Sequence, residues 1–191
     1  LNQEARENLE GSFVELSNGW VHYELKTPEK STSKGRNNIV VLVHGFSTPM
    51  FVWDKVVPAL NKEGYITLRF DLYGRGFSDR PDVDYGKDVY DQQVNEMIEE
   101  FVDNGDAVHL VGLSMGGEVS TIFTSRHPER VKTLTLVDPA GLPSNLKTPP
   151  KFIFKIPGVA RLINKIVIKN LNKNFYKPEN FPEYDDLFTA Q

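Results

Sequence analysis

The segment Gly112-Leu113-Ser114-Met115-Gly116 combines residue types and spacing that suit nucleophilic catalysis. It follows the apolar run at 108–111 and precedes residues 117–126, which read as helix. A G-x-S-x-G pattern between a strand and a helix is typical of a nucleophile elbow, a tight turn that exposes a serine hydroxyl above the strand end. Its glycines are needed because a Cβ on either side would collide with neighbouring backbone. We predict that Ser114 is a nucleophile; the alternative is a serine that only caps the following helix.

A serine nucleophile needs a base to accept its proton, and histidine is the usual one. The sequence has four histidines. His109 precedes Ser114 on the predicted strand, about 16 Å away at ~3.3 Å per residue. His127 lies beyond the following helix, about 20 Å away at ~1.5 Å per residue. His22 belongs to a predicted hairpin at the sheet edge, so none of these three suits the role.

The apolar patterns predict the elements that must position Ser114. Strands are predicted at 13–16, 20–25, 39–43, 65–70, 107–111 and 131–137, and helices at 51–62, 89–102 and 117–126. Asn18-Gly19 is the predicted turn of a hairpin between the first two strands. The remaining strands and helices alternate, which predicts an α/β fold with a mostly parallel sheet and helices on both faces.

Three further motifs flank the predicted strands, and they are His44-Gly45-Phe46, Asp71-Leu72-Tyr73-Gly74-Arg75-Gly76-Phe77-Ser78 and His127-Pro128-Glu129-Arg130-Val131. Together with the Ser114 segment, and in this order, they resemble the α/β-hydrolase superfamily, specifically its esterase, lipase and meta-cleavage-hydrolase branch. The resemblance covers residues of roughly 12 to 140. It implies an α/β-hydrolase fold that these 191 residues carry only as far as the start of a helical cap.

The resemblance also implies roles at the site. The backbone N–H groups of Met115 and Phe46 would form the oxyanion hole, and Phe46 has the alternative of a core aromatic. His44 would support the oxyanion loop instead of acting as the base. Asp138 ends the last predicted strand, where a minority of family members carry the catalytic acid; we expect a structural role for it, with the catalytic role as the alternative.

The segment that follows the strand at 65–70 is interpreted as structural. Asp71, Gly74, Gly76 and Ser78 are expected to shape a tight loop, with the glycines adopting positive φ. A glycine pair also suggests phosphate binding, but this spacing fits neither a P-loop nor a dinucleotide fingerprint. We therefore expect no cofactor at this loop.

The family order of the triad places the acid and the histidine after the serine, on loops that follow later strands. The resemblance therefore implies that both lie outside these 191 residues, and that this span alone is inactive. Residues 1–138 are predicted to be the amino-terminal part of the hydrolase core. Residues 139–191 are predicted to begin the helical cap.

The predicted cap segment is basic. Residues 147–177 carry eight Lys or Arg side chains and no Asp or Glu. Within it, apolar and basic positions recur at helical spacing on largely separate stripes. We interpret this segment as a cap helix whose apolar face covers the pocket and whose lysines are solvated. The alternative is weak contact with an anionic membrane surface.

Composition excludes several classes of function. The net charge of −4 argues against nucleic acid as a partner. With no cysteine, disulfides, thiolate catalysis and cysteine-ligated metals are excluded, and we predict no metal or cofactor. No apolar run approaches the ~20 residues of a membrane span. The lack of a signal-peptide apolar region favours the cytoplasm, while a removed export signal stays open because the sequence begins at Leu1. The sequence does not indicate the oligomeric state.

These inferences combine into one functional prediction. We expect a serine hydrolase that acts through an acyl-enzyme on a small-molecule carboxylic ester or a related carbonyl substrate. Hydrolysis of a C–C bond in a diketone, or of a lactone, is an alternative within the same fold. A non-catalytic ligand-binding or interaction protein that kept the elbow and lost the triad is the alternative of another class.

Overall fold

The fold is described from a computed structural model, which defines residues 6, 9, 11–28, 38–103 and 105–141. The predicted cap and its basic helix lie outside these residues, apart from residues 139–141. The strands are β1 (Ser12–Leu16), β2 (Gly19–Lys26), β3 (Ile39–Val43), β4 (Ile66–Phe70), β5 (Val108–Leu113) and β6 (Val131–Val137). The helices are α1 (Val57–Lys62), α2 (Lys87–Phe101) and α3 (Met115–Arg126), with short 3-10 helices at Met50–Trp53 and Pro128–Arg130.

The six strands form one sheet in the order β1-β2-β4-β3-β5-β6. β1 and β2 form the predicted antiparallel hairpin at one edge, and β2 continues antiparallel to β4. β4, β3, β5 and β6 are parallel to one another. The predicted mostly parallel sheet is therefore confirmed, with the antiparallel hairpin added at one side.

The sheet is covered on both faces. Val41 and Val43 of β3 point to the face that packs against α2 and α3, where Ile98 and Phe123 are fully buried. The alternate residues of β3 pack with Trp53 and Val57 on the other face. All five residues of β3 are buried, as a continuous apolar run predicts for a central parallel strand.

The helix predicted over 51–62 is wrong as a single element. The structure has a 3-10 helix at Met50–Trp53, three turn residues, and then α1 from Val57. Pro58 explains the interruption, because proline lacks an N–H and its ring clashes with the carbonyl four residues earlier. Proline is tolerated in a first helical turn, and Pro58 lies there in α1.

The parallel strands place their carboxyl ends at one edge of the sheet. The loops that follow β3, β4, β5 and β6 therefore meet there, as expected for a crevice at the strand ends of an open α/β sheet. These loops carry the residues that the sequence singles out.

Candidate active site

Ser114 lies at the junction of β5 and α3 in a strained backbone conformation. Its φ is 52° and its ψ is −117°, a combination that a residue with a Cβ adopts only when its surroundings enforce it. Ser114 N–H donates to the carbonyl of Val137 at 2.9 Å, and its own carbonyl accepts from Ala140 N–H at 2.8 Å. The end of β6 and the loop that follows it thus hold the peptides on both sides of Ser114.

Close approach of backbone explains the glycines around Ser114. A Cβ on Gly116 would overlap the carbonyl oxygens of Val43 and His44, and one on Gly112 would overlap the carbonyl of Gly116. The turn therefore packs directly against the end of β3. This is the collision with neighbouring backbone that the sequence pattern predicts.

The loop after β3 contacts Ser114 through Gly45. A Cβ built on Gly45 would lie 3.2 Å from Ser114 Cβ and 3.8 Å from its Oγ. The Ser114 side chain therefore lies beside Gly45, the residue that precedes Phe46. Any side chain at position 45 would occupy the space next to the hydroxyl.

His44 fixes the orientation of the peptide that joins Gly45 to Phe46. Leu72 N–H donates to His44 Nε2 at 2.9 Å, so Nε2 is unprotonated and Nδ1 carries the proton. Nδ1–H donates to the Gly45 carbonyl at 2.7 Å. In a trans peptide the C=O and N–H point in opposite directions, so this bond also sets the direction of Phe46 N–H. Burial lowers the pKa of His44, which keeps the ring neutral in this arrangement.

Asp71 ties the neighbouring segments together. One carboxylate oxygen accepts from His22 Nδ1 at 2.8 Å and from Phe77 N–H at 3.0 Å, and the other accepts from Met50 N–H at 2.8 Å. Burial alone would raise the pKa of Asp71, but these hydrogen bonds outweigh it and hold the pKa below its ordinary value. The predicted tight loop is confirmed: Ser78 Oγ donates to the Asp71 carbonyl at 2.7 Å.

Two arginines hold the loop after β3 at its ends. Arg69 of β4 donates to the Met50 carbonyl at 3.2 Å and pairs with Glu24 and Asp54. Arg75 donates through Nε to the Phe46 carbonyl at 2.8 Å. The sequence does not single out either arginine, since a single basic residue in a strand or loop gives no signal of what it contacts.

Phe46 is exposed instead of buried in the core. Its relative exposure is 62%, so the alternative of a core aromatic is wrong. The guanidinium carbon of Arg75 lies 4.3 Å from the centre of its ring. The ring is thus held from one side by a cation–π contact.

The four histidines are engaged with groups other than Ser114. His22, which we placed in the edge hairpin, is buried in β2 against Asp71. His109 contacts Thr133 Oγ1 at 2.8 Å and Asn38 Oδ1 at 3.0 Å. His127 packs on Phe123 and lies 3.6 Å from Asp91. His44 uses both ring nitrogens, as described above.

Asp138, like Ser114, has a positive φ, which is 44°. It follows the neighbouring strand β6 and is exposed. Among the described residues, no ion pair joins its carboxylate to an imidazole. Its side-chain role stays a prediction.

No group of three or more His, Asp or Glu is arranged to hold a metal ion in the described part of the chain. Of the helices in the same part, none has the length and apolar character that a membrane crossing requires.

Comparison with known proteins relates this geometry to a family. Residues 38–176 match the family model described as alpha/beta hydrolase fold. The chain is 31% identical over 128 residues to monoacylglycerol lipase abhd6-A of Xenopus laevis, a match over 66% of this chain and 37% of that protein. It is 32% identical over 148 residues to Lipase 1 of Psychrobacter immobilis, over 76% of this chain and 43% of that protein. The chain thus spans about two fifths of the length of these curated relatives.

Solved structures of other hydrolases share the fold of this chain. The esterase EaEST of Exiguobacterium antarcticum superposes with a TM-score of 0.59 and 26% identity, covering 69% of this chain and 46% of that one. An epoxide hydrolase, CorEH, superposes with a TM-score of 0.66 and 24% identity, covering 85% and 58%, which shows the shared fold alone. The family match extends over more than half of the chain and agrees with the observed sheet, so the protein belongs to the alpha/beta hydrolase fold family.

Proposed function

We propose that this protein is a serine hydrolase in which Ser114 attacks a carboxylic ester and forms an acyl-enzyme. The proposal rests on one observation, which is that the Ser114 side chain does not cap the helix that follows it. Ser114 occupies the N-cap position of α3, yet its side chain makes no capping hydrogen bond. Its backbone also lies outside the extended region that capping residues adopt. A capping role therefore does not account for a serine in this strained position, whereas presentation of a nucleophile does.

The proposed oxyanion hole uses two backbone donors. Met115 is the first residue of α3, so its N–H has no helical carbonyl to bond. Phe46 N–H belongs to the peptide that His44 orients beside Ser114. Within the described residues, Phe46 N–H donates to no backbone carbonyl. Donors fixed in place before the reaction stabilise the developing oxyanion without reorganisation.

We infer that the general base lies outside these 191 residues. The sequence contains four histidines, all in the described part, and each is engaged elsewhere. His44 in particular would have to give up the hydrogen bond that its unprotonated Nε2 accepts from Leu72 N–H before it could accept a proton from Ser114. This span alone is accordingly expected to lack efficient turnover, and the acid and the base are expected in the remainder of a longer protein.

The ester substrate is supported by several relatives of this chain. Two of them are named as lipases, at 31% and 32% identity, and the esterase structure shares 26%. The same nucleophile and oxyanion donors would also serve a lactone or a diketone, because each presents a carbonyl carbon to Ser114. Hydrolysis of a panel with these three carbonyl types separates the alternatives.

Labelling of the full-length protein with a fluorophosphonate probe tests the proposal. We expect stoichiometric modification of Ser114 and loss of p-nitrophenyl ester hydrolysis on labelling. Ser114→Ala should abolish both and leave the fold intact. Ser125→Ala is the matched control, because Ser125 is an exposed serine near the other end of the same helix.

Two results would contradict the proposal. The first is a folded full-length protein that neither reacts with the probe nor hydrolyses any of the three carbonyl types. The second is hydrolysis that survives Ser114→Ala. The first result would favour the alternative of a non-catalytic binding protein.

A further inference from the structure

Arg75 makes contacts within its own loop and also with Phe46 of the proposed oxyanion loop, residues 44–46. It lies in the turn after β4, where its own N–H donates to the Leu72 carbonyl at 2.9 Å. Its Nη1 donates to the Gly74 carbonyl at 3.0 Å, which fixes the side chain against its own loop. From this anchored position it reaches across to Phe46.

Two separate contacts join Arg75 to Phe46. The first is the 2.8 Å hydrogen bond from Nε to the Phe46 carbonyl. The second is the cation–π contact, with the guanidinium carbon 4.3 Å from the ring centre. Because the planar guanidinium carries donors at its edge and stacks with its face, arginine can make both contacts at once.

The two peptides that flank Phe46 are therefore restrained by different residues. His44 holds the carbonyl of the preceding peptide, and Arg75 holds the carbonyl of the following one. Phe46 N–H lies in the first of these peptides. His44 sets the direction of that peptide, and Arg75 limits its displacement by holding the other side of Phe46.

Phe46 is not buried in the core, so these two restraints are needed to hold it. Phe46 is 62% exposed as a residue, so packing in the core does not hold it in place. Gly45, next to it, has no side chain to pack. The position of the donor therefore depends on hydrogen bonds and on the stacked guanidinium.

We propose that Arg75 is a positioning residue for the oxyanion hole, which holds Phe46 so that its N–H is directed at the oxyanion formed on attack by Ser114. The inference rests on the proposed function. It adds a side chain that touches neither the substrate nor the reacting atoms and acts through the Phe46 backbone. Such a residue affects the transition state more than substrate binding, because the oxyanion develops only on attack.

The test compares three arginine variants of the full-length protein. For Arg75→Ala we expect kcat on a short p-nitrophenyl ester to fall about 10- to 100-fold, less than the ~10²–10³ of a donor removed outright, with KM changed by no more than about twofold. Inhibition by an alkyl boronic acid, which forms a tetrahedral adduct on serine, should weaken by a similar factor. Arg75→Lys should recover only part of kcat, because lysine lacks the planar fork.

Arg80→Ala is the matched control, since Arg80 is an exposed arginine of the same region whose Nη2 donates to the Gly76 carbonyl at 3.4 Å. We expect its kcat to match the wild type. Methylguanidinium added to Arg75→Ala should restore part of kcat and have no effect on Arg80→Ala. A role limited to overall stability would not be rescued in this way.

The outcomes separate the two proposals. A wild-type kcat in Arg75→Ala, or a loss confined to KM, overturns the role of Arg75 and leaves the serine mechanism standing. A wild-type protein that does not react with fluorophosphonate overturns the serine mechanism, and the role of Arg75 with it. If Arg75→Ala does not fold, Arg75→Lys decides: reduced kcat at constant KM supports the proposal, and unchanged kcat overturns it.

Discussion

Gly116 approaches the carbonyl oxygen of Val43 so closely that an added Cβ would overlap it, so the turn that carries Ser114 is packed on the end of the central strand without room for a methyl group. This contact joins two segments that are far apart in sequence. The contact fixes the position of Ser114 relative to the loop that begins at His44.

We expect Gly116→Ala to destabilise the protein by about 1–3 kcal/mol, because the added Cβ forces backbone apart in a packed region. Urea unfolding measures the loss. Gly86→Ala is the control, since a Cβ there has nothing within 4 Å and φ is −113°. Its stability should change by no more than about 0.5 kcal/mol. Equal stability of the two variants would show that the close approach at Gly116 is relieved at no cost.

Asp71→Asn should cost about 3 kcal/mol at neutral pH, because an amide NH₂ would face a donor where a carboxylate oxygen now accepts. The folded-state pKa of Asp71 lies below its ordinary value. Its contribution is therefore fully present above the unfolded pKa of ~3.9 and is lost as the pH falls through the folded value. Urea unfolding of both proteins at neutral and acid pH should show the difference shrinking in acid.

Asp82→Asn serves as the control for that comparison, since Asp82 is an exposed carboxyl in the following loop. It should unfold like the wild type at both pH values. A stability difference for Asp71→Asn that stays constant down to about pH 2 would contradict the proposed linkage.

His44 should make stability depend on pH in the mildly acid range. Burial lowers its pKa in the folded state, so below ~6.5 the unfolded chain binds a proton that the folded protein does not. Stability is then highest above that value and falls as the pH falls below it. Urea unfolding between about pH 5 and 8 should show this slope, and His44→Gln should reduce it, because glutamine does not titrate.

Glutamine is the informative substitution at this position, since its side-chain oxygen can accept the Leu72 N–H that His44 Nε2 now accepts. His44→Gln should therefore stay folded at neutral pH. An unchanged slope in this variant would assign the pH dependence to other groups.

Arg69→Met should be strongly destabilising, by about 3–5 kcal/mol, because it removes a buried guanidinium that pairs with two partly buried carboxylates. Arg69 is 8% exposed and pairs with Glu24 and Asp54. Arg126→Met is the control: Arg126 also pairs with two carboxylates, but it lies at the surface beside the exposed Asp88. Thermal unfolding should show a much smaller effect for Arg126→Met, and similar losses for both would argue against burial as the cause.

The strands and the Ser114 turn could be predicted from the sequence because their signals are local. The run from Ile39 to Val43 has no polar residue, so its burial on both faces follows from composition. Pro58 is an equally local signal, and the error over residues 51–62 came from following the apolar spacing past it.

The supports of the site could not be predicted because they depend on long-range contacts. His22 is bonded to Asp71, 49 positions later in the chain, and Arg75 to Phe46, 29 positions earlier. Spacing along the chain carries no information about such pairs. The order β2-β4-β3 in the sheet brings them together, and that order is a property of the fold.

The separation between these contacts has a consequence for the order of folding. The bonds from Gly117 and Glu118 N–H to the Ser114 carbonyl close over three and four residues, whereas Leu72 N–H reaches His44 over 28. Local contacts cost less loop-closure entropy and form sooner. Amide exchange during refolding should therefore protect Gly117 before Leu72. The first turn of α3 would then form early, and Ser114 would adopt its strained conformation only when the parallel strands have paired and Val137 and Ala140 hold its peptides.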